Sequence, residues 1–429
     1  MLKFLPAKVR NLARSNPTAA RYVVDGLLVA CGINMAASNV NLLAIRLGAD
    51  DFQLSLIQFL PQMCTLMVLI PGGLFMDSLR NKKRIVIITL AAIMLGYLLC
   101  SVSPFAASLS IPFFLVSLSL AGSAMALYNI AWQSFFPNVI EQRMRNMVLT
   151  LRTRVTLLMT MLMPVLVGLV LTRIGAVNLK ILAHQSFFFI SVLLFLLTAF
   201  NFRKFRTSRP VTPKQVSLTE INEAFKKLLH NKPFLLFAGT ILFFHMTWHF
   251  DWTLYFIGQV NYLQMNEFQV GLVPVGAAVV QLLTLRFWSR KNEQHGVVLP
   301  FTFGIIGLSL CPVSMIIAVS LPSSIGAHLF IIMHMIAHIP FCVITLNLFQ
   351  CILQVTDNEN VSFSMSVIAC LICLSNAIMP VLGVALYHSL GGSIDGFRYT
   401  FVIIFALRIV ATLLWILRWR YQSKMTLIS

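Results

Sequence analysis

The chain of 429 residues is 58% hydrophobic and only 10% charged, and its 32 Lys and Arg against 13 Asp and Glu leave a net charge of +19. A water-soluble domain carries about 25% charged residues, so this chain could not cover its surface in water. The composition excludes a soluble globular protein. It predicts an all-α membrane protein, because a helix bonds all of its own backbone groups inside the bilayer.

Apolar runs predict twelve transmembrane helices, each long enough to cross about 30 Å of hydrocarbon. The basic segment 1–21 lacks the apolar core of an export signal and is expected to lead into the first span. Pro340 is expected to kink the long tenth span. In chain order, the predicted spans are 22–45, 53–76, 85–103, 110–136, 147–172, 182–202, 234–260, 268–288, 297–320, 324–354, 362–388 and 397–418.

The positive charges sort to one side of these spans. Of the 32 Lys and Arg, 27 fall on one side, Arg152 among them, and 4 on the other. Arg408 lies inside the last span, where it is expected to snorkel or to pack. The positive-inside rule then predicts a cell membrane protein, plasma or inner, with both termini in the cytoplasm. The basic balance indicates topology, and no nucleic-acid partner is expected.

A polar central loop, about 203–233, separates two predicted bundles of six helices, 1–202 and 234–429. Ser217 and Glu220 have the spacing of a capping box, which predicts the start of a short helix. Its apolar face indicates a helix lying along the cytoplasmic membrane surface. Pro233 is expected to end it.

The two halves repeat at a constant offset of 216 residues. Asp51-Phe-Gln-Leu-Ser-Leu-Ile aligns with Glu267-Phe-Gln-Val-Gly-Leu-Val, and Met163-Pro-Val-Leu aligns with Met379-Pro-Val-Leu. Six spans per half is an even number, so both halves have the same topology and the repeat is parallel. This arrangement predicts two pseudo-symmetric bundles that rock around a site at the membrane midplane.

A loop motif completes a family resemblance. The sequence Gly73-Leu-Phe-Met-Asp77, followed by two lysines five residues on, resembles the signature that joins spans 2 and 3 in the major facilitator superfamily, although Ser78 and Arg80 depart from it. With the repeat and the central loop, the whole chain resembles a bacterial-type member with twelve helices. The resemblance implies a monomeric transporter of a small-molecule substrate, with no cofactor. It also implies that Gly73 and Asp77 latch one conformation.

Other family features are incomplete. Proton-linked members often carry an arginine in span 4, and none is present here. Exporter-like members carry a Gly-rich, Pro-containing motif in span 5, of which Pro164 and Gly168 remain. Pro164 and its repeat partner Pro380 are assigned to gating. The motifs leave the direction open between uptake and efflux.

An acid within a span is a functional candidate by default. Asp251 lies in the seventh span, at the edge of one broad helical face. That face carries His245, Trp248, His249, Trp252 and Tyr255. Asp251 is expected to bind a substrate charge or carry a proton. The structural alternative is a pair with a His or Arg elsewhere in the bundle.

Three further spans carry polar faces. In the resembling family, spans 1, 4, 7 and 10 line the central cavity. The candidates in the other three are Asn34, Ser38 and Asn41 in span 1, Asn129, Trp132 and Gln133 in span 4, and His334, His338 and Thr345 in span 10. Small amides and histidines also hold helices together without binding a ligand. These polar positions do not repeat between the halves, which suits one asymmetric ligand.

The predicted function is secondary active transport of a small organic solute by alternating access, coupled to protons. No phosphate-binding loop occurs, so ATP-driven transport is not indicated. A flippase for a lipid-linked substrate on the same fold stays open as an alternative. A membrane-embedded metal enzyme using His245 and His249, or His334 and His338, is disfavoured because no acid or cysteine completes a ligand set. No metal site and no enzymatic activity are expected.

Overall fold

A computed structural model describes residues 16–78, 82–205, 218–355 and 361–426, and these segments are helical apart from short turns. The first unit contains α1 (Pro17–Arg46), α2 (Asp51–Ser78), α3 (Lys82–Val102), a 3₁₀ turn (Ser103–Leu109), α4 (Ser110–Val139), α5 (Gln142–Arg173) and α6 (Val177–Arg203). The second contains α7 (Leu218–His230), α8 (Lys232–His249), α9 (Trp252–Ile257), a π-helical turn (Gly258–Tyr262), α10 (Glu267–His295), α11 (Val298–Ser309), α12 (Cys311–Ala318), α13 (Ser323–Ala337), α14 (Phe341–Leu353), α15 (Val361–Ser389) and α16 (Ile394–Thr426).

The helices have the length and surface of membrane spans. Within the described segments, ten stretches are long and apolar enough to cross a bilayer, and the 50-residue stretch Lys83–Trp132 covers both α3 and α4. Helix α2 adds a further 28 residues. Large apolar side chains are exposed, such as Phe105 at 79% and Leu283 at 75%. Water would penalise such a surface and lipid does not. The prediction of an all-α membrane protein is confirmed.

The chain divides into two compact units, Met1–Val216 and Ser217–Ser429. In the first unit, the first helix packs against the fifth and sixth, the second against the fourth, and the third against the fourth and sixth. The corresponding spans of the second unit pack in the same pairs: α8 against α15 and α16, α10 against α13 and α14, and α11 against α14 and α16. This common packing pattern is what an internal repeat produces.

The seventh span is broken, although the sequence predicts one continuous helix over 234–260. Helix α8 ends at His249 and α9 begins at Trp252. The backbone at the break lies against α15 at Gly383, where an added Cβ would sit 2.0 Å from the Phe250 carbonyl oxygen. Glycine at this position therefore allows α15 to approach the break. The kink predicted at Pro340 is confirmed, because α13 ends at Ala337 and α14 begins at Phe341.

The predicted amphipathic helix is present as α7. Leu228 is buried on its inner side, whereas Phe225 is 45% exposed. Ser217, the expected cap, lies outside the described residues. The expectation that Pro233 ends this helix is wrong. The Asn231 side chain accepts the Phe234 N–H at 3.0 Å and caps α8 instead. Pro233 occupies the first turn of α8, where a missing N–H costs nothing.

Candidate solute-binding and coupling site

Asp251 lies in the break between α8 and α9 and is fully buried. Its Oδ2 accepts a hydrogen bond from Nη2 of Arg408 on α16 at 2.6 Å. Arg408 is itself only 1% exposed. The expectation that Arg408 snorkels or merely packs is wrong, since a carboxylate in the interior supplies its counter-charge. Of the alternatives for Asp251, a pair with an arginine from elsewhere in the bundle is the one observed.

Arg408 also bonds backbone carbonyls that two helix breaks leave free. Its Nε donates to Thr247 O at 3.3 Å and its Nη2 to Trp248 O at 3.2 Å. These carbonyls belong to the last turn of α8, which has no intrahelical donors. Its Nη1 donates to Leu308 O at 2.9 Å. The residue four positions after Leu308 is Pro312, which has no N–H to offer. The guanidinium of Arg408 therefore supplies hydrogen-bond donors to backbone carbonyls of both span 7 and span 9.

Beside this ion pair, the rings predicted on spans 7 and 10 lie together. The His245 ring is 5.4 Å from Trp248 and 5.2 Å from His249. Trp248 lies 5.7 Å from Trp252, nearly perpendicular to it. Trp248 also lies 5.1 Å from Phe341 of α14. The sequence prediction of a shared face on span 7 thus corresponds to a packed group of rings that reaches span 10.

The span 10 histidines extend the same group. His334 lies 5.7 Å from Tyr255 and 4.1 Å from His338. His338 Nδ1 bonds the His334 carbonyl oxygen at 2.8 Å. On the other side of the face, His249 Nδ1 lies 3.0 Å from the Ser375 hydroxyl of α15. Nothing is described of the Thr345 side chain, which the sequence placed on the same face. We call these rings, with Asp251 and Arg408, the histidine–aromatic cluster.

Several polar atoms of the cluster have no hydrogen-bond partner. They include both ring nitrogens of His245 and Nδ1 of His334, all buried. Asp251 Oδ1 and the Tyr255 hydroxyl are also unbonded, one helical turn apart. Leaving a buried polar group unbonded costs about 1–3 kcal/mol. A small rotation could join Asp251 to Tyr255, whereas the histidine nitrogens have no partner among the described residues.

The candidates of the first unit do not form one comparable group. Asn34 Nδ2 bonds the Ala30 carbonyl at 2.8 Å and the Thr160 hydroxyl at 3.3 Å. Asn41 lines a separate cleft of about 210 Å³ with Gln58 and Tyr97. Asn129 is exposed on α4. Among the side chains described, no hydrogen bond joins these three asparagines, and Gln133 lies outside that set.

A second buried ion pair, missed by the sequence analysis, surrounds Trp132. Arg152 Nη1 bonds Asp25 Oδ2 at 2.8 Å, and the Tyr128 hydroxyl donates to the same oxygen at 3.0 Å. The guanidinium carbon of Arg152 lies 3.9 Å from the centre of the Trp132 ring, a cation–π contact. Arg152, which was predicted on the cytoplasmic side, is held inside the unit by this pair, with its side chain only 11% exposed. The signal was available, because Asp25 is an acid within a predicted span.

The predicted latch and gating residues lie on α2, α5 and α15. Helix α2 continues to Ser78, and nothing is described of the surroundings of Gly73 or of the Asp77 side chain. Pro164 and Pro380 occupy the interiors of α5 and α15, neither of which is interrupted there. The described residues hold no group of three His, Cys, Asp or Glu side chains arranged to bind a metal ion.

Comparisons with known proteins identify the family. The sequence profile described as the Major Facilitator Superfamily matches residues 26–347. No curated protein sequence matches the chain. Among solved structures, a bacterial homologue of the iron transporter ferroportin aligns with a TM-score of 0.75 at 12% identity, covering 94% of this chain and 98% of that one.

Two further solved structures share the fold. The nucleoside transporter NupG aligns with a TM-score of 0.71 at 10% identity, over 94% of this chain and 99% of that one. A D-xylose–proton symporter aligns with a TM-score of 0.71 at 12% identity, over 92% and 96%. At such identities the likeness extends to the fold alone. The sequence resemblance is confirmed by the profile match: the chain belongs to the Major Facilitator Superfamily, as a multi-pass membrane transporter and not an enzyme.

Proposed function

We propose that the protein is a secondary active transporter that carries a small organic solute by alternating access, coupled to proton movement. The observation that carries this proposal is the buried Asp251–Arg408 pair, 2.6 Å long, at a helix break beside unbonded histidine nitrogens. Proton coupling requires a group that can take up and release a proton next to a part of the backbone that can change, and Asp251 lies at such a helix break.

Asp251 is the proposed proton carrier. A protonated carboxyl loses its charge and most of its attraction for a guanidinium, so protonation weakens the link between α16 and Asp251. Arg408 keeps its bonds to the carbonyls of Thr247, Trp248 and Leu308 in either state. Protonation of Asp251 therefore frees the α9 side of the break while the α8 side stays bonded to Arg408. A buried pair contributes little net stability against apolar replacements, which fits a role in switching.

The histidine–aromatic cluster is the proposed solute site. Rings such as Trp248, Trp252 and Phe341 present flat apolar faces, and His245 and His334 supply polar edges. The D-xylose–proton symporter and the nucleoside transporter on this fold carry organic solutes by their names. An iron transporter homologue also shares the fold. Metal cargo is not favoured here, since the described residues hold no three-ligand group.

The test is proton flux in proteoliposomes that contain a pH-sensitive dye. A panel of neutral and charged metabolites and drug-like amphiphiles is added, and a transported compound changes the internal pH. We expect Asp251→Asn to abolish solute-driven proton flux while solute binding persists. Asp395→Asn serves as the matched control, because Asp395 is 70% exposed in a surface pair with Arg398. Parent-like proton flux in Asp251→Asn would remove Asp251 from the coupling mechanism.

A panel in which no compound moves protons would refute proton-coupled transport of these solutes. The same proteoliposomes can then be tested with a fluorescent lipid, since flipping of a lipid-linked substrate is the alternative activity on this fold.

The proposal extends to the orientation in the cell. The excess of Lys and Arg on one side supports a protein of the plasma or inner membrane with both termini in the cytoplasm. The family resemblance supports a monomer. A fluorescent protein fused to the C-terminus, of a type that folds only in the cytoplasm, is expected to fluoresce. A fusion protein that is expressed normally but does not fluoresce would contradict a cytoplasmic C-terminus.

A further inference from the structure

We infer that the solute is a neutral, planar heterocycle whose edge carries hydrogen-bond donors and acceptors, the chemistry of a nucleobase. This inference rests on the proposed function, since it names the substrate class of the same site. Three features of the histidine–aromatic cluster carry it: the faces of the rings, the unbonded nitrogens and the balance of charge.

The faces favour a flat solute. Trp248 and Trp252 meet edge to face at 84°, and the Trp248 ring is tilted by 57° against Phe341. Trp248, Trp252 and Phe341 are each only half-buried, so part of each residue is left uncovered. Aromatic faces prefer offset stacked or edge-to-face contact with another planar ring. A second flat ring fits this geometry with its faces against theirs.

The edges require a polar solute. His245 is 4% exposed, yet neither of its ring nitrogens has a hydrogen-bond partner among the described residues. His334 has the same deficit at Nδ1. A neutral imidazole offers one donor and one acceptor, so a complementary edge must present both. A nucleobase does so within one ring. A hydrocarbon tail would leave all of these nitrogens unbonded, which argues against a lipid.

The charge balance favours a neutral solute. Asp251 and Arg408 neutralise each other directly, and each of the three Arg408 nitrogens also donates to a backbone carbonyl. With Asp251 ionised, the cluster therefore has no spare charge for an ionic group. A charged solute would leave water for this interior without a counter-ion, which is strongly unfavourable.

The experiment measures ligand-induced thermal stabilisation of the purified full chain, with tryptophan fluorescence as a second readout. The probes are uracil and adenine as neutral heterocycles, D-xylose as a neutral non-planar solute, and orotate as a planar anion. We expect stabilisation by uracil or adenine, and none by D-xylose or orotate. A ligand that binds the folded state and not the unfolded state raises the melting temperature.

The decisive variant is His245→Phe, which keeps an aromatic ring and removes both unbonded nitrogens. Because His245 makes no internal hydrogen bond, we expect the ligand-free melting temperature to stay or rise. Heterocycle affinity should fall at least tenfold. His388→Phe, the same change at an exposed position on α15, should bind like the parent. Should His245→Phe fold poorly, His334→Phe gives the same test from span 10.

The outcomes separate this inference from the proposed function. Proton-coupled transport of D-xylose without heterocycle binding would overturn the substrate class and leave transport standing. Uracil binding that depends on His245, with no proton flux for any solute, would support the class and refute the coupling. Equal heterocycle affinity in the parent and in both histidine variants would overturn the inference.

Discussion

Arg408 is expected to be the most costly side chain to remove from the second unit. Arg408→Met leaves the buried carboxylate of Asp251 unpaired, which costs about 3–5 kcal/mol. It also orphans the carbonyls of Thr247, Trp248 and Leu308, each worth about 1–3 kcal/mol. Even the low ends of these ranges add to roughly 6 kcal/mol, within the 5–15 kcal/mol that holds a typical protein folded.

Adding Asp251→Asn to Arg408→Met should restore stability, because it removes the unpaired charge. The recovery should be about 3 kcal/mol, the low end for a broken buried pair. For a unit the size of Ser217–Ser429, roughly 2–4 °C per kcal/mol then gives about 6–12 °C in melting temperature. The orphaned carbonyls stay orphaned, so the double variant should remain below the parent.

The assay is thermal unfolding in detergent at one fixed scan rate, followed by a fluorophore that reacts with thiols exposed on unfolding. Cys311 and Cys351 are buried and free, so they report the opening of this unit. Asp395→Asn is the control from the same helix, and its exposed pair with Arg398 should be worth at most about 1 kcal/mol. A double variant no more stable than Arg408→Met alone would refute the reasoning.

Two further predictions use the same melting assay. Gly383→Ala should lower the melting temperature and impair proton coupling, since its Cβ would meet the Phe250 carbonyl oxygen at 2.0 Å and overpacking costs about 1–3 kcal/mol. The control Gly239→Ala, whose Cβ meets nothing within 4 Å, should be neutral or stabilising. Equal effects of the two substitutions would contradict the close approach at the break. Asp25→Ala should destabilise the first unit by about 3–5 kcal/mol, because it leaves the buried guanidinium of Arg152 without a counter-charge. A loss of stability as small as that of Asp395→Ala would mean that this pair does not hold the first unit together.

The two units share a packing pattern but not their ionic chemistry. At the repeat offset of 216 residues, Asp25 corresponds to Ile241 and Arg152 to Ile368, while Arg408 corresponds to Val192. One pair joins the first and fifth helices of its unit, and the other joins the seventh and twelfth spans. Ionic groups that do not repeat between the units suit the asymmetric solute and the proton coupling that we propose.

Composition and periodicity were sufficient to predict the membrane class, the number of spans and the duplicated architecture. These features arise from local physics, since a helix in lipid must be apolar along its length and must bond its own backbone. The face of span 7 was predictable for the same reason, because the spacing of His245, Trp248 and Tyr255 follows the helical period.

The partners of the buried charges were decided by tertiary structure alone. Nothing local links Asp251 to Arg408, 157 residues away, or Asp25 to Arg152, 127 residues away. The break in span 7 is also invisible locally, because its segment holds no proline or glycine between Phe244 and Ile257. It forms where Gly383 lets α15 approach and where Arg408 donates hydrogen bonds to the freed carbonyls. Such a joint depends on groups from three helices meeting at once, and only the packed unit brings them together.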